Sequence, residues 1–468
     1  MRKPEHRRRI PRRVMATAVA ATLALTAAVP PAVAASTPGP VDGVWTSDGY
    51  ATVLSIDHGR LRAYETTAVS CVPGFTAQQT GPVGSGGRVT FTDKDDDVIR
   101  VWRDGRGGHL TIDGSAGVRE LRRTAALPAR CARPAPKDPR ATFDVFWQTF
   151  AENYPFFAAK GIDWDAVRRR YRPQVTAGTS DDRLLSILDA MIAPLHDLHT
   201  GIIAGGKRLY HVRPGTIMPL PDYDAKIKAF IAKRDTPLQD FAEGRISYAD
   251  LPGRLGYLRI SGFGGYTDAD TYASNAAELD RALDAVLTPA RTTGAGKLRG
   301  LIIDLRVNGG GSDVLGLRIA SRLTGRAYTA YAKRVRNDPK DPAGFTRPQP
   351  IRVNPAHAPL YRGPVAILTG GSTVSAGETF TQALMDRLPR PVRIGENTQG
   401  VFSDILDRRL PNGWAFGLPD EEFLTRTGRT FDGPGIPPDV RTPVFTDEEL
   451  AKGRDSAFDR AVALLSHG

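Results

Sequence analysis

Two stretches of this chain share one pattern: an apolar run that breaks into glycines and then into a helix start. One is residues 363–380, GPVAILTGGSTVSAGETF; the other is residues 301–312, LIIDLRVNGGGS. Short apolar runs bounded by glycine read as strands buried on both faces. Strands of that kind alternate with helices and call for a parallel sheet covered on both sides. From residue 250 onward the alternation holds. Strands are expected at 255–260, 298–305, 364–368 and 392–394, and helices at 268–287, 314–323, after Ser375, and at 447–465. The pattern predicts an α/β domain.

The second stretch to weigh is the turn itself. Ser375 stands where the turn becomes a helix. Amides at a helix start lack intrahelical partners, and the helix dipole adds partial positive charge there. A serine so placed can attack a carbonyl while a neighbouring amide holds the developing oxyanion. It can equally be a plain N-cap. The Gly309-Gly310-Gly311 loop has a matching ambiguity. Glycine lets backbone approach a ligand and turn its N–H groups toward it. Phosphate binding is disfavoured, because the P-loop lysine is missing and G-x-G-x-x-G fails at Val314. An oxyanion donor from Gly310 or Gly311, beside Ala376, is the other use, and a tight turn is the plain one.

A serine nucleophile needs a base. Of eight histidines only His467 follows Ser375, and Thr373 stands where an elbow G-x-S-x-G would begin. Both features disfavour the α/β-hydrolase order. The better base lies in His196-Asp197-Leu198-His199-Thr200, which closes an expected helix. H-x-x-H is also half a zinc site, with Asp197 or His211 as a third ligand. A capping or core histidine is the structural alternative.

Upstream, Arg7–Arg13, an apolar run at 14–29 and Ala32-Val33-Ala34 form an export signal pattern over residues 1–34. That segment carries seven Lys/Arg and one Glu, so it accounts for about half of the +12 net charge. The remaining basic residues are scattered without interleaved aromatics, which argues against nucleic-acid binding. No second run of membrane length follows, so no membrane insertion is expected once the signal is removed. In an oxidising compartment Cys71 and Cys131, the two cysteines, are expected to pair. Residues 43–131 alternate in short runs and predict a small antiparallel β-domain, sandwich or barrel. From residue 140 a helical period takes over, with Phe143, Phe146, Trp147, Phe150 and Ala151 on one stripe. Asp163 and residue 180 open two further helices. Residues 205–215 read as a loop, and 223–250 as short mixed elements.

Six separate stretches resemble the tail-specific (C-terminal-processing) and tricorn-type serine peptidases. They are NYPFFAAKGIDW, LHDLHTGI, DLRVNGGG, LTGGSTVSAGE, IGENTQG and FDGPGIPPDV, in the family's order from residue 153 to 440. The resemblance does not reach the N-terminal β-domain. It implies a crotonase-like α/β core, a helical subdomain over 140–215, a core over 216–465, and peptide or protein substrates cleaved without a cofactor or metal. It implies Ser375 as nucleophile, with Gly310 and Ala376 as oxyanion amides. The processing type places a lysine base after the G-E-x-T-x-G motif, and Val401 stands there instead. The tricorn type uses a histidine, which matches His199, oriented by an acid whose place is held by Asp432. Glu396 is the rival acid. The tricorn serine that bridges histidine to acid is replaced by Leu198, so Asp432 is expected to reach His199 directly, through Thr200, or through water. About 50 residues separate His199 from Pro252, too few for a PDZ insertion. The alternative readings are a ligand-binding protein on the same fold and an esterase of small substrates.

Overall fold

The structure is a computed structural model that describes residues 38–234 and 237–467. The expected export signal, residues 1–34, lies outside the described residues. No helix among those described is long and apolar enough to cross a membrane.

Eight antiparallel strands, from Gly43–Ser47 to Arg119–Thr124, close into a barrel in which the first strand pairs with the last. Alternation builds it. Leu61 and Ala63 point inward from one strand, and Trp45, Leu54, Phe91, Val101 and Leu121 join them in the interior. Closure removes the sheet edges that an open β-domain would expose. The Cys71–Cys131 disulfide forms, with Cα atoms 5.0 Å apart and a sequence separation of 60. It ties a barrel strand to the turn that leads into the first helix.

Three helices follow, Pro139–Asn153, Trp164–Tyr171 and Asp181–Ile192. Phe143, Phe146, Trp147 and Phe150 are buried as the period requires, and Ala151 packs at their margin. Asp163 caps the second helix by accepting from Ala166 N at 2.8 Å. The indoles of Trp147 and Trp164 each donate to the other's carbonyl at 3.0 Å, which locks the first two helices together. The third helix ends earlier than its pattern suggests. His196 has a positive φ of 47°, and the chain then turns into the strand Gly201–Ala204. The expected loop at 205–215 holds a strand, Lys207–Tyr210, that pairs back on Gly201–Ala204. Gly205 and Gly206 both take positive φ, the conformation a two-residue hairpin turn needs.

The main sheet has seven strands. Its order is Gln239–Phe241, Ile246–Leu251, Leu255–Ile260, Gly300–Asp304, Val365–Thr369, Val392–Gly395 and Val440–Arg441. All pairs from Leu255–Ile260 onward are parallel. Leu301, Ile303 and Ile367 face one layer, with Leu279, Leu283, Ile319 and Phe380 from the helices Tyr272–Val286, Asp313–Arg322 and Ala376–Ala383. Ile302, Ala366 and Leu368 face the other, with Ile227 and Ile231 of Pro221–Ala232 and Ala461 and Leu465 of Ser456–His467. Two expectations need correction. The mixed region at 223–250 begins with a three-turn helix that Pro221 opens. The single terminal helix is two, Asp447–Ala451 and Ser456–His467, because Gly453 takes a φ of 63° between them.

The disulfide generates a stability expectation. Closing a loop of this length removes unfolded-state entropy worth about 4 kcal/mol in the chain-entropy model. A Cys71→Ser/Cys131→Ser chain should therefore unfold at a clearly lower denaturant midpoint than the oxidised chain. Coincident unfolding curves would show that the bond contributes nothing to stability.

Candidate functional site

The two glycine-bearing loops leave adjacent parallel strands and are stitched together. Ser372 and Thr373 pair in parallel with Val307 and Asn308, and Val374 N donates to Asn308 O at 3.0 Å. Ser375 follows with φ 55° and ψ −122°, a conformation costly for an L-residue. It is half-buried. The helix Ala376–Ala383 starts immediately after it, and the Ala376 N–H makes no hydrogen bond among the described residues. Gly310 backs directly onto the serine. A Cβ built there would lie 2.6 Å from Ser375 Cβ and 3.1 Å from its Oγ, so only glycine fits. The Gly310 N–H donates to Asn308 Oδ1 at 3.0 Å, the Gly309 N–H donates to Ser261 O at 3.0 Å, and Gly311 is exposed.

Glu378 sits three residues after Ser375 and is fully buried. Its carboxylate accepts from Gly400 N and Val401 N, both at 2.7 Å, and from Ser375 N at 3.3 Å. Burial pushes this carboxyl up to about 7, against the pull of those amides and of Thr398. The glutamate so joins the serine turn to the 400–401 loop. The S-x-x-E spacing of a capping box was the sequence signal that could have singled it out.

His199 is 6% exposed, and its Nδ1 is buried without a hydrogen-bond partner. The backbone of Ser403 bonds the ring and favours its charged form, as do Asp197 and Asp404; burial outweighs them and lowers the imidazole below its ordinary value. No hydrogen bond joins His199 to Ser375 among the described residues. One segment nevertheless touches both. Val401 O accepts from Ser375 N at 3.0 Å, and Ser403 faces the histidine ring. Two residues of extended chain span about 7 Å.

Asp432 is buried, and its oxygens accept from Phe402 N at 3.2 Å and Thr430 Oγ1 at 2.9 Å. Burial raises it well above the carboxylate range, and the charges of Asp197 and Glu378 push the same way. Asp197 accepts from Tyr154 OH at 2.9 Å and from His199 N at 3.1 Å. The hydroxyl of Thr200 is spent on Asp197 O at 2.7 Å. Glu396 lies by Val444, Arg441 and Glu449, at the other end of its loop. The zinc candidates diverge. His196 is exposed while His199 is buried, and His211 bonds Asp189 at 2.8 Å. No group of three ligands fit for a metal occurs among the described residues.

Long-range partners escape a reading of spacing. Arg306 lies buried between Asp304 and Asp455, at 2.6 and 2.5 Å, and so pins the strand end before the glycines to the last helix. Lys333 meets Glu421 at 2.8 Å and Asp404 at 3.4 Å, and donates to the barrel carbonyl of Ala116 at 2.8 Å. Ser115 bonds Asp404 at 2.6 Å, and Ser312 bonds Gly114 O at 2.7 Å. One barrel loop therefore sits on both the glycine loop and the segment beside His199.

The sequence profile of peptidase family S41 matches residues 254–442, and that of the tricorn protease C1 domain matches residues 135–193. The chain is similar to peptidase family S41 over residues 254–442. Tricorn protease homolog 1 of Streptomyces coelicolor is 28% identical over 258 residues, which are 54% of this chain and 20% of that protein. The match thus spans about a fifth of the relative's length. A candidate peptidase from Parabacteroides merdae is 26% identical, with a TM-score of 0.59 over 70% of this chain and 97% of its own. Mature CPAF shares the fold at 12% identity, with a TM-score of 0.51 over 70% of this chain and 96% of its own. The S41 match includes Ser375, Gly310, Glu378 and Asp432, and excludes the barrel.

Glu378 generates a pH expectation. A carboxyl near 7 when folded and 4.5 when unfolded keeps its proton only in the folded chain between those values. Folded stability therefore falls as pH rises through that window. The Glu378→Gln chain, which mimics the protonated form, should gain stability relative to wild type from pH 5 to pH 8. A gap in urea midpoints that does not change with pH would contradict this.

Proposed function

We propose that this chain is a serine peptidase that cleaves peptide bonds through an acyl-enzyme on Ser375, on a crotonase-like core. The observation that carries the reading is the serine itself. It is half-buried, its backbone is strained, the unpaired Ala376 amide adjoins it, and Gly310 is pressed against its side chain. Strain of this kind persists where surrounding structure enforces it, and it clusters at catalytic turns.

In this scheme His199 takes the proton from Ser375 as the hydroxyl attacks the scissile carbonyl. It then returns the proton to the leaving amine, and water clears the acyl group. A lowered imidazole pKa keeps it neutral, and so able to accept a proton, near pH 7. The shared 401–403 segment supports placing both groups on one cleft. The short move that brings them into contact accompanies substrate binding, since such bonds are often long in free enzymes. Ala376 supplies one oxyanion amide and Gly310 the second, its N–H turning from Asn308 Oδ1 toward the charge. Asp432 serves as the orienting acid. The charges of Asp432 and Asp197 act on each other, and Asp197 accepts from His199 N, which supports this assignment. Residues 1–34 direct the chain to export, and peptides or proteins are its substrates.

Labelling with a serine-reactive fluorophosphonate tests the reading. Wild type should label and Ser375→Ala should not. His199→Ala should label more slowly, by about a hundredfold or more. The labelling rate should fall on the acid side with a midpoint below 6.5, because protonation of His199 removes the base. Equal labelling of wild type and Ser375→Ala sinks the proposal. Hydrolysis of p-nitrophenyl esters with no cleavage across a peptide library would replace it with the esterase reading.

A further inference from the structure

The basic residues beyond residue 34 are scattered in sequence, but the fold gathers seven of them on one face. Three pockets lie side by side there. The first, of about 260 Å³, has Arg390, Arg426 and Arg429 in its walls. The second, of about 340 Å³, has Arg326 and Arg362. The third, of about 570 Å³, has Lys297, Arg299 and again Arg362. Neighbouring pockets share a wall, through Asp386 between the first two and Arg362 between the last two, so the three make one groove.

The charge of this groove is one-sided. Asp386 is the one carboxylate that lines it. All seven cations are exposed. Arg390 meets Asp439 at 3.3 Å. The other six make no ion pair and no side-chain hydrogen bond among the described residues. Like charges held in a concave surface repel one another, and the low-dielectric walls focus their field outward. A partner of negative charge relieves the repulsion.

The rest of the lining narrows the partner. Gln382 lines the first pocket at 1% exposure, and neither its amide nitrogen nor its amide oxygen has a hydrogen-bond partner. A buried carboxamide left so is costly. A polypeptide backbone carries both the acceptor and the donor that it lacks. Rings on which bases could stack are withdrawn, since Tyr361 is 2% exposed and Tyr328 and Phe431 are half-buried. Leu388, 61% exposed, is the one large apolar side chain of the lining that stands out of it. A single leucine is too little to hold a bilayer, and it suits an apolar side chain set among acids.

We propose that this groove is a docking surface for an acidic segment of a polypeptide, with its carboxylates spread over the arginines and its backbone reaching Gln382. The helix Ala376–Ala383 follows Ser375 at one end and carries Gln382 near the other. The segment therefore docks roughly 10 Å along that helix from the candidate site. The binding itself does not rest on the peptidase reading.

Fluorescence anisotropy tests it, with all variants made in the Ser375→Ala chain so that no cleavage consumes the probe. The probes are a labelled peptide of repeating Glu-Glu-Leu-Gly units, the same peptide with glutamine for every glutamate, and a labelled duplex DNA. Phosphatidylglycerol vesicles are tested by cosedimentation. The acidic peptide should bind, its glutamine counterpart should not, and added salt should weaken the binding. Arg362→Glu/Arg426→Glu should weaken it by about tenfold or more. Arg60→Glu/Arg106→Glu reverses two exposed barrel arginines, changes the net charge equally, and should leave the affinity unchanged. Gln382→Leu should weaken it several-fold, with circular dichroism confirming that every variant folds. The proposal is overturned if the acidic peptide does not bind, if the barrel variant loses as much affinity as the groove variant, or if Gln382→Leu binds as tightly as its parent. It is equally overturned if the DNA or the vesicles bind more tightly than the peptide and lose that binding in the groove variant.

Discussion

One buried carboxylate organises the candidate site. Glu378 accepts amides from its own helix start and from the 400–401 loop, and so joins two segments that leave different strands. An unpaired carboxylate in so dry a place would be costly, and amide donors are what make it tolerable. The result is a serine turn fixed on one side by hydrogen bonds and on the other by Gly310, where no side chain fits. Rigid support of this kind is what a strained backbone needs in order to persist.

The barrel is part of the same construction. Its 114–116 loop reaches Ser312, Lys333 and Asp404, so the glycine loop, the strand Tyr328–Val335 and the segment beside His199 all meet it. Several of these contacts are charged and enclosed. Removing one partner from such a set costs more than its net worth, because it strands the other. The barrel is thereby fixed against the loops that carry the candidate site residues.

Much of this was legible in the sequence. Buried parallel strands announce themselves as unbroken apolar runs, and 301–304 and 365–369 form as their composition requires. The barrel's alternation and the Phe143 stripe were equally clear, because both depend on local period. The S-A-G-E spacing held the clue to Glu378. What stayed hidden depends on distance along the chain. Nothing near Glu378 names Gly400, nothing near Arg306 names Asp455, and nothing near Lys333 names the barrel. The hairpin at 201–210 was missed because two glycines resemble a loop until both adopt positive φ. Asp432 was placed by motif, and its bonds to Phe402 and Thr430 belong to the fold.

The convergence of Ser375, His199 and the Ala376 amide is the claim on which the functional reading stands. A crystal structure of the chain carrying a peptidyl boronate on Ser375 would test it directly. The expected result is one boronate oxygen about 3 Å from Ala376 N and the His199 ring within hydrogen-bond reach of the boron-bound oxygens. An adduct whose oxygens face away from Ala376, or a His199 that remains enclosed and apart, would contradict it.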